Sequence, residues 1–200
     1  MSTLTLDLGE FIAGVRYEHL PSEAVRSIIT AFADTISVSV AGANEEAPLT
    51  LMKVLTPLGD EATLFAGGRA SAANAAWING TAAHALDYDD VAQQGGHPSA
   101  PLVSAILAEA EAVGANGQEM LLAYAAGFEV FADLARRDTD QHHDKGWHPT
   151  GIWGAIAAAA ACAKLRGLDA IASARALSLS ASQSSGLSSN RAYPVSSHAY

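Results

Sequence analysis

The sequence is poor in cysteine, in basic residues and in aromatic side chains. Its one cysteine, Cys162, cannot form a disulfide within the chain, and a structural zinc site or a cysteine-bound iron–sulfur cluster needs several cysteines. Lys and Arg number 11 against 21 Asp and Glu, and the basic residues form no run or stripe. A nucleic acid or an anionic membrane surface is therefore not expected as a partner.

A signal peptide and a transmembrane segment are not expected either. The first residues, MSTLTLDLGEF, lack the basic region followed by an apolar region that indicates a signal peptide. The most apolar stretch, residues 151–163, is shorter than the roughly 20 residues that cross a bilayer. We therefore expect a soluble, cytoplasmic protein that does not enter a membrane.

Alanine and helical periodicity dominate what is present. Half of the residues are hydrophobic and only 16% are charged, which suits a packed core, and alanine is the strongest helix former. Apolar residues spaced by three and four from Ser22 to about Ala41 predict a helix, with Gly42 as a left-handed C-cap. Residues 60–69 predict a turn or a short extended piece. Further helices are predicted over 48–55, 70–86, 98–113, 116–136, 149–166 and 169–182. The expected fold class is all-α, in one domain.

Two polar loops interrupt these helices. The first, HALDYDDVAQQGGHPSAP at residues 84–101, contains three aspartates and then His97, which precedes a proline. The second, KGWHPTGIWG at residues 145–154, contains His148, which also precedes a proline. Proline holds the residue before it extended, so each imidazole is expected where a loop meets the start of a helix. The helix dipole lowers the pKa of a histidine at that position, which suits a general base near neutral pH.

These loops predict acid–base chemistry if they meet in the fold. His97, His148 and an aspartate would then supply a base for a C–H proton and an acid for a departing hydroxyl, as an elimination requires. Each part also has a structural interpretation, because an Asp-rich segment can be a solvated loop and a histidine can serve only packing. His142 and His143 are expected on the loop surface, and His84 has no evident partner.

The aspartates also suggest a magnesium site, since carboxylate oxygens are the ligands that Mg²⁺ prefers. Asp-rich segments occur in helical, magnesium-dependent prenyl-diphosphate enzymes. Those enzymes need a second Asp cluster and basic residues for the diphosphate, and the sequence shows neither. We therefore predict no metal site.

The strings NGTAAHALDYDDV, GHPSAPLVSAILAEAE and GWHPTGIWGAIAAAAACAKLRGLD resemble the MmgE/PrpD family, and the resemblance extends from about residue 10 to Leu187. It implies an N-terminal helical domain over residues 1–187 and a divergent or truncated serine-rich tail over 188–200. It also implies a protein that needs no cofactor, acts on a small polycarboxylic acid and forms a homodimer.

The resemblance implies site residues and an activity as well. Asp87, His97 and His148 match the family's active-site aspartate and its two histidines, and Lys145 is our candidate for binding a substrate carboxylate. The implied enzyme is a lyase similar to 2-methylcitrate dehydratase, which eliminates water next to a carboxylate. A cis-aconitate-type decarboxylase, an epimerase of the same family and an inactive helical module are the alternatives.

One departure from the family concerns the last residues. Members of the family continue with a segment that contains methionine, threonine and a lysine that lines the active site, and with a smaller α/β lid. The 200 residues contain no such string and end in SQSSGLSSNRAYPVSSHAY. We therefore expect a truncated, split or degenerate chain that binds substrate weakly by itself and turns it over slowly or not at all.

Overall fold

The computed structural model describes residues 3–55, 59–93 and 95–188, and its described part is mostly helical. The elements in chain order are α1 (Leu4–Gly14), α2 (Ser22–Gly42), α3 (Glu46–Val54), β1 (Ala62–Thr63), β2 (Arg69–Ala70), α4 (Ala72–His84), α5 (Ser99–Val113), α6 (Gly117–Arg137), α7 (Pro149–Leu165) and α8 (Ala170–Ala181), with short 3₁₀ turns at Tyr17–His19 and His142–Lys145. The all-α prediction is confirmed. Most of the serine-rich tail, residues 189–200, lies outside the described residues.

Helices α2 to α8 lie where the apolar periodicity predicts them, with ends that differ by a few residues. One predicted end is wrong. Gly42 is not a left-handed cap, because it is the last residue of α2 and Ala43 after it is still right-handed. A Cβ at Gly42 would lie 2.2 Å from the carbonyl oxygen of Ala82, so this glycine allows α2 to approach α4 closely.

The first helix, α1, is not predicted by the periodicity, because glycines and short polar residues interrupt its apolar positions. The Thr3 side chain caps it by accepting a hydrogen bond from the amide of Leu6 at 3.3 Å. Ile12 is fully buried in a cluster with Val130 and Leu177, so α1 owes its place to packing against α6 and α8.

The core lies between α5, α6 and α7, with α2 packed against α4, α5 and α6. Phe131 and Trp153 meet edge to face, with ring centroids 5.5 Å apart, and Leu102 and Ile106 fill the layer beside them. Burying each large apolar side chain contributes about 1.5–3 kcal/mol. This layer holds the start of α5 beside the start of α7, and these are the two ends that carry His97 and His148.

A small antiparallel hairpin, β1–β2, forms over residues 60–69, where a turn or a short extended piece is expected. It is fastened to α4 by Asn79, whose amide donates to the carbonyl of Thr63 at 2.9 Å and accepts from the amide of Phe65 at 3.1 Å. Asn79 and Gly80 form a pair that is typical of turns, but here both lie inside α4. The Asn79 side chain holds the hairpin against the helix.

Among the described residues, one helix is long and apolar enough to cross a membrane by length and composition alone. It is α2, the 21-residue helix near the N-terminus. In the fold, Ile28, Phe32 and Thr35 of this helix are buried against the core.

Candidate active site

The two predicted loops end at neighbouring helix starts. His97 lies one residue before Pro98 at the start of α5, and His148 is the N-cap of α7. The backbone amide of His97 donates a hydrogen bond to Oγ1 of Thr150 in the first turn of α7, at 2.8 Å. The two loops therefore meet, which is the condition for the acid–base prediction.

A third histidine, His84, lies between the two predicted ones. It is the last residue of α4, and its ring centroid lies 4.6 Å from that of His97, in an edge-on arrangement. The same ring lies 5.7 Å from the ring of His148. Three imidazoles from three helix ends thus form one cluster.

Asp89 is the carboxylate at the centre of this cluster. Its side chain is fully buried, and its two oxygens lie 2.9 and 3.0 Å from Nδ1 of His84. Oδ2 of Asp89 also lies 3.2 Å from Nδ1 of His97, whose side chain is 5% exposed. Burial alone would raise the pKa of Asp89, but hydrogen bonds from His84 and His97 outweigh it and hold that pKa well below its usual range.

Asp87 lies on the solvent side of the cluster. Its side chain is 60% exposed, and Oδ1 lies 3.8 Å from Nε2 of His97. Its backbone has a φ of 54°, a left-handed conformation that aspartate tolerates better than most residues. His97 is therefore flanked by a buried carboxylate at Nδ1 and by an exposed one at Nε2.

The neighbouring Asp90 turns away from the imidazoles to the start of α5. It accepts hydrogen bonds from the amide of Ser99 at 3.1 Å and from the Ser99 hydroxyl at 2.6 Å. The hydroxyl of Tyr124 in turn donates to Ser99 Oγ at 2.7 Å. Burial raises the pKa of Asp90, and burial likewise raises the pKa of Tyr124 to about 12. Asp90 serves as a structural cap of α5.

A returning segment, residues 184–188, supports His148 from the other side. The amide of His148 donates to the carbonyl of Gly186 at 3.0 Å, and Trp147 forms an isolated bridge with Leu187. The hydroxyl of Ser188 donates to the carbonyl of Trp147 at 2.9 Å. The site therefore draws on chain from residue 84 to residue 188.

A cavity of about 830 Å³ lies behind the first loop, next to Asp90. Its wall is mostly apolar and includes Phe11, Ile28, Tyr124 and Phe128. None of the three clustered histidines lines it, so this cavity and the histidine cluster occupy different places in the fold.

Residues 6–200 match the MmgE/PrpD N-terminal domain. The chain belongs to the MmgE/PrpD family. The resemblance predicted from the sequence is thus confirmed, and the match begins within α1 and runs beyond the boundary expected at Leu187.

Two curated relatives of this MmgE/PrpD domain are both cis-aconitate decarboxylases. The cis-aconitate decarboxylase of Mus musculus is 25% identical over 201 residues, which cover 96% of this chain and 41% of that protein. The cis-aconitate decarboxylase of Homo sapiens is 33% identical over 125 residues, which cover 59% of this chain and 26% of that protein. The chain thus spans less than half the length of these relatives.

The structure brings together three of the four residues predicted for this MmgE/PrpD site. Asp87, His97 and His148 lie in or beside the cluster, and their catalytic roles stay predictions. The fourth, Lys145, is the last residue of the 3₁₀ turn and the first of the second loop, and its ammonium group pairs with Asp140. Its role in binding substrate also stays a prediction.

The sequence reasoning missed His84 and Asp89. His84 does have a partner, because its Nδ1 bonds to Asp89. The available signal was the string HALDYDD, in which a histidine at the end of a predicted helix precedes an aspartate by five residues. That spacing alone does not say which of three aspartates faces the ring.

Four residues of the cluster could also hold a cation. His84, Asp87, Asp89 and His97 each offer a donor atom, and these four atoms lie within 4.8 Å of one another. Imidazole and carboxylate donors together suit zinc and other divalent transition metals. The same atoms already make the imidazole–carboxylate contacts described above, so the expectation of a metal-free site stays a prediction.

Proposed function

We propose that this MmgE/PrpD domain carries the acid–base groups of a cofactor-independent lyase that acts on a small polycarboxylic acid. The observation that supports it is the meeting of His97 and His148 around a buried carboxylate, with the two loops joined by the His97–Thr150 hydrogen bond. A lyase of this kind needs one group that accepts a proton from carbon and another that delivers a proton elsewhere on the substrate.

His97 is the proposed base. Its Nε2 faces Asp87 on the exposed side of the cluster, where a substrate can approach, while its Nδ1 faces Asp89. When Nε2 accepts the proton, the new positive charge lies between two carboxylates. Opposite charges at this separation in a partly buried site stabilise the imidazolium and so lower the barrier to proton abstraction.

His148 is the proposed acid. It is the N-cap of α7, next to the helical turn whose Thr150 accepts the hydrogen bond from the amide of His97. Its half-buried ring lies near that of His84, within the same cluster as the proposed base.

In the leading reaction, similar to that of 2-methylcitrate dehydratase, His97 takes the proton from the carbon next to a carboxylate. The electron pair of that C–H bond forms the new double bond, and the C–O bond on the adjacent carbon breaks. His148 protonates the departing hydroxide, so that water leaves. At the end His97 has gained a proton and His148 has lost one, and proton exchange with solvent restores the starting state.

Decarboxylation is the second candidate, because the named relatives are cis-aconitate decarboxylases. In that reaction the C–C bond to the leaving carboxylate breaks, and CO₂ departs. The electron pair of that bond stays on the carbon chain. An imidazolium of the cluster then delivers the proton that the chain takes up. The same two histidines can serve both reactions.

Product analysis distinguishes the candidates. The test uses a protein in which this domain is followed by the remaining segments of the family, called the full-length protein below. It is incubated with 2-methylcitrate and with cis-aconitate, and the products are followed by NMR. Loss of water from 2-methylcitrate supports the leading reaction, whereas loss of CO₂ from cis-aconitate supports the second. Solvent deuterium uptake without net conversion would favour an epimerase, and no change in any substrate would favour the inactive helical module.

The His148→Ala variant tests the site itself. Removing the proton donor should lower kcat by about 10²–10⁴-fold, since general acid–base catalysis contributes on that scale. The matched control is His143→Ala, because His143 is an exposed histidine on the neighbouring 3₁₀ turn. A His148→Ala enzyme with unchanged kcat would exclude His148 from the mechanism.

Charge limits what the 200 residues do alone. The chain has a formal net charge of −10, the cluster contains two carboxylates, and Lys145 is paired with Asp140. A substrate with several carboxylates needs positive partners. We therefore propose that the 200-residue chain by itself binds such substrates weakly. We further propose that the active form is the full-length protein, as a homodimer in the cytoplasm. Ordinary turnover of 2-methylcitrate by the purified 200-residue chain would contradict this.

A further inference from the structure

A buried carboxylate and a third histidine lie where they can orient both proposed catalytic imidazoles. We propose that Asp89 and His84 are positioning residues: Asp89 holds His84 and His97 as Nδ1–H tautomers, and the His84 ring sets the spacing between His97 and His148. The catalytic consequence rests on the proposed function, whereas the tautomers are a property of the chain itself.

The first step concerns the proton on each ring. Asp89 is fully buried and ionised, and an ionised carboxylate only accepts hydrogen bonds. Two Nδ1 atoms face it: that of His84 at 2.9 Å in a hydrogen bond, and that of His97 at 3.2 Å in an ion-pair contact. Each of these nitrogens must therefore carry a proton. In the neutral ring, Nε2 is then the atom with the lone pair.

The second step concerns the direction of that lone pair. With Nδ1 of His97 held by Asp89, Nε2 points to the exposed side, where Asp87 lies 3.8 Å away. The opposite tautomer would place an N–H where the base must accept a proton, and it would set two acceptors against each other at Asp89. The buried carboxylate thus selects the tautomer that can act as a base.

The third step concerns His84. Its ring packs edge-on against His97 and also lies near His148, while its Nδ1 bonds to both oxygens of Asp89. As the last residue of α4, it is fixed by a helix end and not by a loose loop. His84 therefore links the first loop to the second and limits how far the two proposed catalytic rings can rotate.

The contrast with Asp90 distinguishes this role from ordinary capping. Asp90, the next residue, directs its oxygens to Ser99 at the start of α5. The oxygens of Asp89 instead share a hydrogen bond with Nδ1 of His84 and face Nδ1 of His97. The two neighbours therefore provide a matched pair for experiment, since one carboxylate faces the cluster and the other caps a helix.

Nitrogen-15 NMR on the labelled 200-residue chain tests the tautomers directly, because protonated and unprotonated ring nitrogens have well-separated shifts. In the wild type, at a pH where the rings are neutral, we expect His84 and His97 both as Nδ1–H. In Asp89→Asn an NH₂ group replaces one acceptor oxygen and opposes an N–H, so at least one of the two rings should change tautomer. Asp90→Asn, the control, should leave both unchanged.

Two results would overturn the proposal. One is a wild-type spectrum in which His84 or His97 is the Nε2–H tautomer. The other is a folded Asp89→Asn chain in which both rings keep the wild-type tautomer. The wild-type measurement decides the matter even if the variant fails to fold.

Kinetics of the full-length protein provide the second test. Asp89 is buried behind His97, so Asp89→Asn should lower kcat by up to about 10⁴-fold, the loss seen when the orienting carboxylate of a catalytic histidine is replaced by an amide. KM should change little. Asp89→Glu should recover part of the loss, because it restores an acceptor-only group. An equal loss in Asp89→Glu and Asp89→Asn, or a change confined to KM, would contradict positioning. Expected tautomers in a full-length protein that turns over no substrate would contradict the proposed function alone.

Discussion

Asp89 and Asp90 are neighbours in the chain, yet their carboxylates have opposite electrostatic surroundings. Asp89 faces two imidazoles, which lower its pKa in spite of burial. Asp90 is half-buried beside Ser99, with the negative charges of Asp89 and Asp34 nearby, and partial burial raises its pKa. At the scale of single residues, the folded state therefore favours the ionised form of one aspartate and disfavours that of the other.

These directions predict opposite pH dependences for two Asn variants. The lowered pKa of Asp89 contributes stability above its ordinary value of 3.8, and this is lost as the pH falls below that value. Asp89→Asn should therefore lower the free energy of unfolding by about 1–3 kcal/mol at about pH 6, and by less at about pH 3. Urea unfolding at the two pH values measures both differences.

Asp90→Asn should show the reverse trend. The raised pKa of Asp90 penalises the folded state once the pH rises above 3.8, so the carboxylate costs stability at neutral pH that it does not cost in acid. The free energy of unfolding of Asp90→Asn, relative to that of the wild type, should therefore be higher at about pH 6 than at about pH 3. Parallel pH trends for the two variants would contradict the opposite surroundings described here.

At the scale of elements, the sequence predicts helices α2 to α8 because their apolar periodicity is strong. Asn116 and Glu119, three residues apart, form a reciprocal capping box at the start of α6. Helix α1 is stabilised by its packing against α6 and α8, which its own residues do not reveal.

The turn at Asp87, with a φ of 54°, sends Asp87 outward and Asp89 inward. The choice between these aspartates therefore depends on a local backbone conformation that a string of three aspartates does not specify.

Helix α6 offers a matched pair of glycines. A Cβ at Gly127 would lie 2.5 Å from Leu102 Cδ2 and 2.9 Å from the carbonyl oxygen of Ala157, whereas a Cβ at Gly117 would meet nothing within 4 Å. Gly127→Ala should therefore destabilise the fold by about 1–3 kcal/mol through overpacking. Gly117→Ala should leave stability unchanged or raise it by up to about 1 kcal/mol.

Thermal or urea unfolding compares the two α6 variants under one condition. Loss of stability in both would point to a general effect of alanine in this helix. Equal stability in both would show that α5, α6 and α7 have room at Gly127, contrary to the close packing described.

At the scale of the molecule, the site is assembled from parts that are distant in sequence. The first loop lies between α4 and α5, the second before α7, and the returning segment 184–188 after α8. The sequence predicts two histidines at helix starts, and it leaves open whether they meet. Their meeting depends on how α5 and α7 pack around Leu102 and Trp153, which is a property of the complete core.

The hydrogen bond from the His97 amide to Thr150 Oγ1 is the described polar link that joins the two loops directly. Thr150→Val keeps the shape of the side chain and removes the acceptor, which should cost about 1–2 kcal/mol and speed hydrogen exchange of the His97 amide by about 5–30-fold. Thr150→Ser, the control, retains the oxygen and should keep the protection. If the loops are held by packing alone, the exchange rate of the His97 amide will be the same in Thr150→Val and in the wild type. In that case the alignment of the two proposed catalytic histidines would rest on α5–α7 packing instead of on this bond.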